Sequence, residues 1–287
     1  MSVTRCSRPA TPTSRIRASE AMLPARWFTL LCAALCFTAG AARAHDSWFS
    51  PAGGNAVALA TGNRYPVQDV GPSAASVALS GCSDGETHAI ALRPAREQAR
   101  WLEMAVGTTD AGHLPQSCWA ELHAAEIELK PQLVQVYLAE IRAPARVRTA
   151  WAELQARGVP WRESYRKFAR IELAAATDAP HELRASARRP TGMDLEIVVR
   201  GDSPIAVGQP LELQVLRDGR PLPGFAVELI SERSALGVWR ETDAQGMLRH
   251  RLPFGGWWLL RGTDLRVSAE RPDTWESRFV TLAIEAR

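Results

Sequence analysis

The stretch LEIVVRGDSPIAVGQPLELQVLRDGRPLPGFAVELIS, residues 195–231, decides the fold class. Leu211, Leu213 and Val215 alternate with Glu212 and Gln214, and Phe225, Val227 and Leu229 keep the same spacing further on. A period of two sends alternate side chains to opposite faces, so each segment reads as a strand with one buried face. Asp218-Gly219 stands between them, a pair suited to a tight hairpin because glycine takes up the positive φ that such a turn demands.

Downstream the same grammar continues. Thr242-Asp243-Ala244-Gln245-Gly246 is a second turn, expected to set Trp239 opposite Leu248 in a hairpin. GWWLLRG (256–262) and SRFVTLAIEA (277–286) complete a run of short strands with no helical stretch, which implies an immunoglobulin-like or transthyretin-like sandwich over 194–287. Upstream, Ala56–Thr61, Ser76–Ser80, His88–Leu92, Trp101–Ala105 and Glu126–Leu129 are candidate strands, whereas Leu133–Ile141 suits strand or helix. Pro144 opens a helix in which Val147, Trp151 and Leu154 share a face and which Gly158 and Pro160 end. Trp161, Tyr165 and Phe168 have helical spacing too, and predict a second helix over Glu163–Ile171. The fold class expected is mainly β. It comprises two β-sandwich-like domains, 45–177 with a helical insertion and 194–287, joined by a linker at 178–193 that carries Pro180, Pro190 and Gly192.

The 287 residues carry 34 Lys+Arg against 31 Asp+Glu, a formal charge of +3. Six arginines and a single acid, Glu20, fall within residues 1–44, so the remainder has 28 basic and 30 acidic side chains and a formal charge of −2. With no run of five like charges, a nucleic-acid-binding surface is not expected. The arginines precede an apolar run, Trp27–Phe37, and then Ala42-Arg43-Ala44, an A-x-A site. Basic region, short apolar core and small residues make a secretory signal, with cleavage expected after Ala44 and export to the periplasm. Trp27–Ala42 is 16 residues, short of the roughly 20 that a membrane-spanning helix needs. Of five cysteines only Cys82 and Cys118 lie beyond the leader. In an oxidising compartment an isolated even pair is expected to form a disulfide.

His45-Asp46-Ser47-Trp48-Phe49, Thr61-Gly62-Asn63, Tyr137-Leu138, Tyr165-x-Lys167-x-Ala169 and the tail that begins at Leu195 together resemble a periplasmic family of unknown-function proteins linked to nickel and cobalt uptake. The resemblance spans essentially the whole chain beyond residue 44, and its C-terminal block is specific to fold more than to chemistry. It implies a β-rich periplasmic protein associated with transition-metal import, without a settled catalytic activity.

The residues supply one chelator in their own right. Cleavage after Ala44 would leave His45 with a free α-amine as well as an imidazole, nitrogen donors suited to Ni, Co, Cu and Zn, and Asp46 adds an oxygen. His113 and His123 flank Cys118, and His88 follows Cys82, so a disulfide would draw all three into one neighbourhood. The candidate metal ligands are therefore His45, Asp46, His88, His113 and His123. His181 falls in the linker and His250 alternates outward in a strand. Glu121, Glu126 and Glu128 read as a solvated strand face, and the tryptophans as core. No G-x-S-x-G, H-E-x-x-H, P-loop, G-x-G-x-x-G or C-x-x-C pattern occurs. The expected function is non-catalytic binding or delivery of nickel or cobalt for uptake, with the ion as cargo. The alternative is a metal-independent module that docks on a membrane transporter or receptor.

Overall fold

A computed structural model describes residues 45–86, 90–107, 114–173 and 179–287, all of which belong to one compact unit. The chain is mainly β. Its strands are β1 (Asp46–Gly53), β2 (Ala56–Gly62), β3 (Val77–Ser83), β4 (Leu92–Glu97), β5 (Leu102–Val106), β6 (Ser117–Leu129), β7 (Trp161–Glu172), β8 (Leu195–Val199), β9 (Pro210–Arg217), β10 (Arg220–Pro221), β11 (Ala226–Ser231), β12 (Val238–Glu241), β13 (Met247–Arg251), β14 (Gly256–Val267) and β15 (Trp275–Ala286). The helices are α1 (Pro131–Glu140), α2 (Ala145–Ala156) and α3 (His181–Ala187). No helix among the described residues is long and apolar enough to cross a membrane.

A seven-stranded sheet in the order β12-β11-β14-β15-β7-β6-β3 forms the centre. Its strands bury both faces, and alternation sorts their side chains. Ile171, Ile230, Leu259 and Ala283 pack against Trp48, Phe49, Leu59 and Leu102 of the four-stranded sheet β1-β2-β5-β4. Phe168, Leu229, Leu260, Leu282 and Ile284 pack on the other side, against Leu195, Ile197, Leu213 and Val215 of the β8, β9, β10 and β13 sheet. α1 and α2 close a third cluster, in which Trp161 stacks on Trp275 with ring centroids 4.6 Å apart and meets Trp151 edge-on at 5.2 Å.

The tight turn at Asp218-Gly219 forms, with φ of 49° and 72° at its two central residues, but the hairpin it closes joins β9 to the two-residue β10, while β11 crosses to the central sheet. Cys82 and Cys118 stand opposite one another on β3 and β6 and are disulfide-bonded. The 36-residue separation they close corresponds to about 4 kcal/mol in the chain-entropy account. Pro144 opens α2 as expected, and Leu133–Ile141 resolves as helix.

Three expectations need correction. Glu163–Ile171 is strand, the middle of β7, which pairs antiparallel with β6 and parallel with β15. The charged residues that look like a solvated helix face are buried: Glu163, Lys167, Arg170 and Glu172 all lie inside. The turn at 242–246 is no hairpin either, because β12 pairs with β11 while β13 crosses to β9, so Trp239 faces Glu228 and Leu248 faces Leu213. Finally, the expected linker at 178–193, described from residue 179 on, contains α3 and does not separate two sheets, since β3, β6 and β7 share one sheet with β11, β12, β14 and β15.

Candidate functional site

β1 begins at Asp46, paired with Gly62 at the end of β2. Thr281 donates from Oγ1 to the Ser47 carbonyl at 2.7 Å, which ties the start of β1 to β15 in the central sheet. This anchoring sets half-buried His45 and buried Asp46 on the wall of a polar cavity of about 470 Å³. The rest of the wall comes from the 63–65 turn, the C-terminal end of α1, β11, β12, β14 and Phe279.

Arg261 organises the charge in this cavity. Its NH1 donates to Asp46 Oδ2 at 2.6 Å and its Nε to Glu228 Oε2 at 2.8 Å, with NH2 at 2.7 Å from the same oxygen. Burial works to lower the Arg261 pKa, but the Asp46 and Glu228 carboxylates outweigh it and the net shift is upward. The guanidinium is therefore a fixed cation that neutralises Asp46 and Glu228 on the wall that His45 shares.

Beneath the cavity floor Tyr137 donates from its hydroxyl to Glu163 Oε1 at 3.0 Å. Trp161 Nε1 reaches Glu163 Oε2 at 2.8 Å, and the Ser277 hydroxyl also donates to Glu163. Burial raises the Glu163 carboxyl above the ordinary glutamate value, against the opposing pull of the Ser277, Trp161 and Tyr137 hydrogen bonds. Tyr137 is raised as well, first by burial and then by the Glu163 charge. A carboxylate sealed under the wall and given three donors positions the tyrosine ring and is itself no open ligand.

The residues singled out as ligands fare differently. His45 and Asp46 line the cavity together. His123 sits exposed in the bulge of β6 and is not part of the lining. His88 and His113 lie outside the described residues. Among the described residues no three His, Cys, Asp or Glu side chains form a metal-holding group. His250 is drawn inward rather than solvated, its pKa lowered first by burial and then by Arg240. Glu121, expected on a solvated face, is buried and held by Arg166 at 2.8 Å, whereas Glu126 and Glu128 are exposed. Glu228 and Arg261 are cavity residues that the sequence did not mark, and Tyr137 entered only as part of the family resemblance. Asp46 and Arg261 are 215 residues apart, and nothing local to either announces the other.

The family described as a domain of unknown function, DUF4198, matches residues 42–263. The chain belongs to that family. The DUF4198 match takes in every residue that lines the cavity except Phe279. Its description names no activity, metal or partner. No curated protein and no solved structure matches the chain.

Proposed function

We propose that the chain, exported and cleaved after Ala44, is a non-catalytic periplasmic carrier that takes up nickel or cobalt at its new amino terminus and passes it on. The observation that carries this reading is the place of His45: the residue expected to become the first lines the 470 Å³ polar cavity beside Asp46. Its α-amine and Nδ1 would chelate one ion through a single residue, with both nitrogens suited to Ni and Co. Because Arg261 already holds Asp46 and Glu228, further ligand positions would fall to water, to the incoming complex or to the receiving partner. Such an incomplete set suits a cargo ion that must leave again.

The test is titration of the processed protein, purified from periplasm, with Ni, Co, Cu and Zn by calorimetry. His45→Ala, or one residue added ahead of His45, is expected to abolish the tightest site. Affinity unchanged in both variants would end the proposal.

A second reading, a metal-independent module docking on a membrane transporter or receptor, draws on apolar side chains left in solvent. Leu133 and Val136 of α1 are 48% and 54% exposed, and Leu236 beside β12 is 84% exposed. No metal binding by the processed protein, together with co-purification of a membrane protein, would favour it.

A further inference from the structure

The cavity that holds His45 continues past Trp239. A second chamber of about 380 Å³ adjoins it and shares Ile141, Arg142, Trp239 and Thr263 with the first. Two of these shared residues are in contact: the Arg142 guanidinium lies over the Trp239 ring, 4.8 Å from its centroid. Arg142 reaches that ring from a backbone at φ 49°, the left-handed region that glycine ordinarily fills at the end of a helix. The turn around it is held firmly: Ala143 N–H donates to the Leu138 carbonyl at 2.9 Å, and Arg148 NH2 donates to the same carbonyl at 2.7 Å.

Arg146 and Arg240 stand on the same chamber wall. Elsewhere in the molecule arginines such as Arg157, Arg166, Arg188, Arg217 and Arg278 are in ion pairs. Among the described residues Arg142, Arg146 and Arg240 have none, and Arg240 spends one N–H on the Trp239 carbonyl. The acids of the chamber do not answer them. Asp264 is engaged by Arg217 and Arg266, and Glu241, the remaining carboxylate of the lining, forms no ion pair among the described residues.

We propose that this chamber binds a small organic polycarboxylate, with Arg142 as the anchoring fork and Arg146 and Arg240 flanking it. A guanidinium lying over an aromatic ring keeps its in-plane N–H groups free, and a planar carboxylate matches them two by two. The chamber's volume falls within the range of small-molecule sites. Each exposed contact is weak alone, so recognition depends on the three acting together. The proposal goes beyond the metal reading, because it requires neither His45 nor processing at Ala44.

Calorimetry in metal-free buffer, with citrate and inorganic phosphate as separate titrants, tests it on the full chain. Citrate is expected to bind saturably and more tightly than phosphate. Arg142→Gly, which relieves the backbone while removing the fork, is expected to weaken citrate at least tenfold with folding intact by circular dichroism. Arg142→Lys keeps the charge, and is expected to weaken it as well. Arg146→Ala and Arg240→Ala are each expected to cost about fivefold, and His45→Ala to leave binding within twofold. Failure of the wild type to bind citrate, phosphate binding as tightly as citrate, or unchanged affinity in Arg142→Gly would overturn the proposal. Loss of citrate binding in His45→Ala would overturn its independence of the metal site.

Discussion

Beside α3, Arg188 grips both oxygens of Glu172 at 2.9 and 2.8 Å, and its NH1 donates to the Gly201 and Ser203 carbonyls at 3.0 and 2.9 Å. At the cavity, Arg261 likewise spans two carboxylate oxygens, on Asp46 and Glu228. The parts are alike, but the surroundings differ. The Arg188 and Glu172 side chains are 4% and 6% exposed, and the neighbouring Arg170 and Glu196 2% and 1%; the Arg261 side chain is 26% exposed and borders open space. Glu196 also accepts from the Thr191 and Gly192 backbone N–H groups at 2.9 and 2.7 Å, so the first cluster leaves no acceptor idle. A sealed and fully partnered cluster fastens the 184–203 segment to β7, whereas a cluster of the same chemistry on a cavity wall sets a field that a ligand can feel.

The comparison predicts its largest effect on the sealed side. Arg188→Ala strands Glu172 as a buried charge, a loss of about 3–5 kcal/mol in urea unfolding. A loss below about 1 kcal/mol would mean that water reaches this cluster and that the contrast with the cavity is false.

Glu163 offers an intermediate case, a carboxylate that is sealed yet has no cationic partner among its hydrogen bonds. Burial raises its folded pKa above the unfolded value. The folded chain thus holds the proton more tightly than the unfolded chain does. Stability from this group is greatest below the ordinary glutamate range, and is lost as pH climbs through the raised folded value. Glu163→Gln removes that dependence. The gap between wild type and variant in urea midpoint is expected to shift in the wild type's favour between about pH 7 and about pH 4. Glu121, raised also by burial, is present in both proteins and cancels in the difference. A gap independent of pH would show that Glu163 keeps an ordinary pKa and belongs with the exposed acids.

What the sequence made legible was local. The alternation in β9 and β11, the Asp218-Gly219 turn, the Pro144 start of α2 and the Cys82–Cys118 pair all follow from residues that are neighbours or from simple elimination. What it hid was long-range. β7 reads as an amphipathic helix because the partners of its buried charges come from elsewhere: Ser277 for Glu163, Glu196 for Arg170, Arg188 for Glu172. Without those partners in view, charged positions look solvated and Trp161, Tyr165 and Phe168 look like a helical stripe. The candidate site divides the same way. His45 and Asp46 follow from the expected cleavage point, but Arg261, which decides how much charge Asp46 presents, is brought in only by the pairing of β14 within the central sheet.

The smallest stability effect is expected on the open side, and it carries the most functional information. Arg261→Met keeps the apolar stem against the cavity wall and removes one partly solvated cation, but Asp46 and Glu228 are themselves buried, so the cost is expected at about 1–3 kcal/mol, still below that at the sealed cluster. It also releases the carboxylates of Asp46 and Glu228, which the guanidinium neutralises in the wild type. Two uncompensated acids on the wall that holds His45 would draw a divalent cation closer, so the processed variant is expected to bind nickel or cobalt severalfold more tightly than the wild type. Calorimetry on processed Arg261→Met, in parallel with an unprocessed sample, separates the contributions: a gain confined to the processed chain locates the ion at the His45 amine. An equal gain in both would place the ion on the carboxylates alone, and would leave His45 no more than a bystander on the cavity wall.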